Sequence, residues 1–61
     1  MAMSKKDYVA IAANIKENYI AANSVDSRDA IREVAFDLTK AFAADNPRFD
    51  RVKFLVACGV A

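Results

Sequence analysis

Few side chains in this sequence have the chemistry to act on a substrate. Serines stand at 4, 24 and 27, carboxylates gather at Asp26, Asp29 and Glu33, and a lone thiol stands at Cys58. A serine or cysteine nucleophile needs a base beside it, and histidine, the usual one, does not occur in the chain. Two carboxylates can serve as acid and base when held at a set separation. Asp26, Asp29 and Glu33, however, fall at the start of a helical pattern, where negative charge offsets the helix dipole. The serines also fall at predicted caps, where a hydroxyl satisfies free backbone N–H groups. A single glycine rules out a glycine-rich phosphate loop, and one Cys without His excludes a tetrahedral zinc set. The residues therefore predict a protein with no catalytic residues, no cofactor and no metal. It is expected to act by contact.

Two kinds of contact chemistry remain. Arg48, Arg51 and Lys53 make a local basic cluster, a candidate for touching nucleic acid. Against this, the chain carries nine Lys and Arg against eight Asp and Glu, a net charge of +1, which leaves no broad basic footprint. Arg48 and Arg51 have a simpler alternative, pairing with Asp45 and Asp50 or facing solvent. The other kind of contact is apolar, and its location depends on the elements that carry it.

Those elements are helices. Apolar residues recur at three- and four-residue steps, and no stretch alternates as a half-buried strand would. The first helix is predicted over 5–22. Ser4 and Asp7 form a capping-box start, and Tyr8, Ala12, Ile15, Tyr19 and Ala22, with Ile11 beside them, make one apolar stripe. Residues 23–27 read as a loop. A second helix is predicted over 27–45, capped by Asp26 or Ser27, with a stripe of Ile31, Ala35, Leu38 and Phe42 flanked by Val34 and Ala41. Two stripes joined by a short loop make an antiparallel hairpin.

Asn46-Pro47 ends the second helix, because the residue before proline is pushed out of the α region. A third, short helix is predicted over 51–58. Asp50 is its N-cap, Phe49 and Phe54 its hydrophobic staple, Gly59 its left-handed C′ residue and Val60 the closing contact with Leu55. Such a short helix is not stable alone. Phe49, Phe54, Leu55 and Cys58 are therefore expected to dock on the hairpin, with Cys58 as a small buried hydrophobe; a reactive thiol is the alternative, with only Lys53 placed to acidify it. If the third helix were a recognition helix in a DNA groove it would need polar residues at base edges, yet it carries Phe54, Leu55 and Val56.

Some apolar residues fall off the stripes. Val9 and Ile20 share a different face of the first helix. Phe36 stands on the polar face of the second, beside Ala43, Arg32 and Lys40. A large aromatic there is expected either to be covered by the third helix or to lie in an interface. A 61-residue chain buries only about 60% of its unfolded surface, and without a disulfide or metal the remaining routes to stability are helix packing and self-association. Val9, Ile20, Phe36 and Ala43 are thus the candidate protein interface, and a homodimeric bundle is the expected architecture. Tyr8 and Tyr19 are expected at the core edge with their hydroxyls in water.

No apolar run is long enough to cross a bilayer, and Lys5-Lys6 precede an amphipathic stretch where a signal peptide would be uniformly apolar. With the free cysteine, this predicts a cytoplasmic protein that does not enter the membrane.

The segment Asn-Pro-Arg-Phe-Asp-Arg-Val-Lys-Phe-Leu-Val-Ala-Cys-Gly-Val (46–60) resembles the end of a group of very short phage- and prophage-encoded proteins. That group closes on an NPRFDRxxFLxACG-like segment after two helical stretches. The opening Lys-Lys-Asp-Tyr-x-x-Ile-Ala-x-x-Ile (5–15) is similar too. The resemblance implies a phage or prophage origin, an interior location in the host cell and a three-helix fold. It brings no activity with it, although by analogy very short phage proteins often inhibit or modulate host proteins. The expected function is non-catalytic protein contact with the chain itself and with an unknown host or phage protein. The alternatives are a nucleic-acid accessory, or a structural oligomer that binds a ligand between subunits.

Overall fold

Each helix begins where a side chain can occupy its free N–H groups. The computed structural model describes residues 3–61. Helix α1 spans Lys5–Ala21, α2 spans Val25–Asp45 and α3 spans Arg51–Ala57, with no strand among the described residues. At α1 the Asp7 carboxylate accepts from the Ser4 backbone N–H at 3.0 Å and from its hydroxyl at 3.2 Å, one arm of the expected capping box.

The second helix starts two residues earlier than the sequence predicts. Ser24 is its N-cap, accepting from the Ser27 N–H at 3.1 Å. Asp26 lies inside the first turn, where it offsets the dipole. Asp26 and Ser27 are therefore not the caps; Ser24 upstream takes that role and satisfies the Ser27 N–H, which adds two residues to the helix.

Asn46-Pro47-Arg48-Phe49 then forms a closed corner. The Phe49 N–H donates to the Asn46 carbonyl at 3.0 Å, and the Asn46 side-chain oxygen accepts from the Arg48 N–H at 3.0 Å. Asp50 caps α3 by accepting from the Lys53 N–H at 3.0 Å. At its other end Gly59 sits at φ 75°, the Val60 N–H donates to the Leu55 carbonyl and the Gly59 N–H to that of Val56. Both bonds of the Schellman close are present.

Cross-helix pairs fix the directions. Tyr8 near the start of α1 meets Phe42 near the end of α2, and Tyr19 near the end of α1 meets Arg32 in the first half of α2. The hairpin is antiparallel, as expected. Helix α3 begins beside Phe42 and ends with Gly59 next to the Lys16 stem, so it runs back alongside α1. All three helix pairs are in contact.

The core comprises Ala12, Ile15, Ala35, Phe42, Phe54, Leu55 and Cys58, with Thr39 as its one buried polar member among the described residues. The α1 stripe and the docking of α3 match the sequence reading. The α2 stripe Ile31, Ala35, Leu38 and Phe42 also faces the core, but its flanks differ from the sequence reading. Thr39 is 3% exposed whereas Val34 is 56% exposed, and Ala41 also faces out. The cause is where α3 sits. The depression beside Val34 is walled by α1 and α2 alone, through Ile15, Asn18, Ala30 and Ile31, so no third layer covers that side. On the opposite side Thr39 becomes core, and its hydroxyl donates to the Phe36 carbonyl at 2.6 Å, which removes the cost of burying it.

Candidate functional site

The Asn46–Phe49 corner does more than reverse the chain. It packs Phe49 against Tyr8, Phe42 and Phe54 at centroid distances of 4.9, 5.4 and 5.5 Å. Tilted and edge-on arrangements at these distances are the favourable ones for aromatic rings. This cluster ties both ends of the hairpin's open side to α3. Between α1 and α3 lies a groove of about 340 Å³. Its apolar lining includes Tyr8, Val9, Ala12, Phe49, Phe54 and Ala57, with Met3 at the start of the chain beside them. Lys5 from α1, Arg48 from the corner and Lys53 from α3 complete its walls, with Asp50 as the single carboxylate.

This arrangement regroups residues that the sequence separates. Val9 belongs to the apolar interface candidates and Arg48 and Lys53 to the nucleic-acid candidates, yet all three wall one groove. Arg51 lies outside it. So do Ile20, Phe36 and Ala43. Lys5 and Ala57 are groove positions that the apolar pattern does not flag on its own. The signal for them is spacing: Lys5 precedes Val9 by four residues and Ala57 follows Lys53 by four, each pair on one helix face.

Phe36 is 41% exposed, so α3 does not wrap over it. Ile20 is 71% exposed, and Ala43 is half-buried. Val52 and Val56 face outward as well. A helix of seven residues can seat only one side; Phe54, Leu55 and Cys58 occupy it, leaving the i, i+4 pair Val52 and Val56 on the outer line.

Arg48, Arg51 and Lys53 are exposed, and none closes an ion pair with the other described residues. The exposed pairs are Arg32–Asp29 at 3.5 Å and Lys40–Asp37 at 3.8 Å. Arg32 also donates to the Tyr19 hydroxyl at 2.9 Å, and that bond raises its already high pKa. Tyr8 departs from expectation: its hydroxyl is buried with no hydrogen-bond partner among the described residues, and its ring packs against Phe42 and Phe49. Cys58 is fully buried, and burial pushes its thiol pKa up, so thiolate chemistry is suppressed. Ser24 and Ser27 are engaged with each other and with the start of α2. Among the described residues no group of His, Cys, Asp and Glu could hold a metal ion, and no helix is long and apolar enough to cross a membrane.

Compared with family models, curated proteins and solved structures, the chain gives no significant match to any.

Proposed function

We propose that this chain is a non-catalytic phage- or prophage-type protein that works by protein–protein contact, as an inhibitor or modulator of a host protein, and that it associates with itself as a homodimer. The observation that carries the reading is the exposed apolar surface. Phe36 and Ile20 remain 41% and 71% exposed in a chain with little core to spare. Large apolar side chains left exposed in a small chain are candidates for an interaction surface. The non-catalytic part rests on the absence of histidine and on serines committed to helix starts.

Light scattering across a concentration series tests self-association. The wild type should move from monomer towards dimer mass as concentration rises. Phe36→Glu should hold it at monomer mass with an unchanged helical circular dichroism spectrum, since the ring is not core. A wild type that stays monomeric at the highest concentration sinks the dimer.

A further inference from the structure

The α1/α3 groove has a composition that selects its occupant. Its lining is apolar, and Tyr8, Phe49 and Phe54 are fixed there by the aromatic cluster, so the surface is formed before anything binds. Its walls hold three cations against one carboxylate, in a chain whose overall charge is only +1. One oxygen of that carboxylate, on Asp50, is already taken by the Lys53 N–H. The cations come from three separate elements, α1, the corner and α3, and so surround the apolar lining instead of forming one point charge.

From this we infer that the groove docks an acidic segment of a partner protein, one that inserts a large apolar side chain between α1 and α3 and sets carboxylates against Lys5, Arg48 and Lys53. A peptide fits this better than a lone anion, because several carboxylates on one backbone can meet cations on three elements at once. Nucleic acid would use the cations and leave the apolar lining idle. A second copy could present only α2, where Asp26, Asp29, Glu33 and Asp37 stand beside Phe36, because the outward line of α3 is Val52 and Val56; the self-association arm of the test distinguishes that occupant. The inference rests on the contact reading and gives the partner's chemistry. The same cations would raise the association rate, an effect that salt weakens.

The test uses the full chain and a fluorescein-labelled helical peptide with a Leu and Phe strip flanked by glutamates. Two control peptides replace the glutamates by lysines or the strip by alanines. Fluorescence anisotropy should show saturable binding of the first peptide only, weakened by added salt. Lys53→Glu and Val9→Gln should each weaken it about tenfold, a charge and an apolar loss of ordinary size. Arg51→Glu, on the same helix but outside the groove, should change it less than twofold. Absence of saturable binding, equal binding of the lysine peptide, or equal sensitivity to Arg51→Glu overturns the proposal. So does a single-stranded oligonucleotide that binds with dependence on Lys53 but not on Val9. Conversion of a dimer to monomer by Val9→Gln also overturns it, since the groove would then hold a second copy. Failure of peptide binding with self-association intact removes the groove alone. Failure of both removes the contact reading.

Discussion

The two ends of the hairpin solve the same problem in opposite ways. At the corner end, Tyr8, Phe42, Phe49 and Phe54 pack all three helices together, and apolar burial takes precedence over polar satisfaction. At the loop end α3 is absent. Only α1 and α2 meet there, and polar groups find partners near the surface: Tyr19 with Arg32, the Arg28 side chain with the Ala22 carbonyl, and Ser24 with Ser27. Tyrosines of one stripe, Tyr8 and Tyr19, therefore have opposite fates. Stability is concentrated at the corner end, and the groove is built on that rigid end.

The largest expected effect breaks this asymmetry directly. Removing a buried phenylalanine costs about 3–5 kcal/mol. A chain this size has roughly 6 kcal/mol of stability in total, at about 0.1 kcal/mol per residue. Phe54→Ala should therefore leave a chain largely unfolded on modest warming. Ile31→Ala, at the half-buried loop end, should cost about 2 kcal/mol, the low end for an aliphatic truncation. Urea unfolding followed by circular dichroism measures both. Equal costs would mean that the two ends share the core evenly.

A smaller effect concerns Cys58 in the sealed part of the core. Burial raises its pKa above the ordinary thiol value near 9. Below that value the thiol is protonated in both folded and unfolded chains, so the stability from keeping it neutral is fully present. Above it the unfolded chain releases the proton and the folded chain holds it, so stability falls as pH rises towards the folded pKa. The urea midpoint of wild type should drop between neutral pH and about pH 10 more steeply than that of Cys58→Ala. Parallel slopes would place the thiol in contact with water.

Most of the fold can be read in the sequence because its signals are local. The Phe49–Asp50–Phe54 start and the Gly59–Val60 close of α3 follow from cap chemistry acting over a few residues, and both appear as expected. What depends on the third layer is not legible. Which side of α2 becomes core, Thr39 or Val34, depends on where α3 docks, and no spacing within α2 encodes that. The groove is hidden for the same reason. Val9 is separated from Arg48 and Lys53 by tens of residues and by chemical type, and the Asn46–Phe49 corner brings the three together.

The smallest predicted effect is also the sharpest on the comparison, because its sign differs between the ends. Removing the Tyr8 hydroxyl leaves the ring packed against Phe42 and Phe49 and deletes a buried group that bonds to none of the described residues. An unsatisfied buried donor costs about 1–3 kcal/mol, so Tyr8→Phe should stabilise the chain by about 1 kcal/mol after some relaxation. Tyr19→Phe deletes an exposed bond from Arg32 and should cost a few tenths of a kcal/mol, because water replaces the lost partner. Thermal unfolding of the two variants side by side compares them under identical conditions. If Tyr8→Phe destabilises instead, the hydroxyl holds a bonded water at the mouth of the groove, and the corner end is polar where its packing says it is dry.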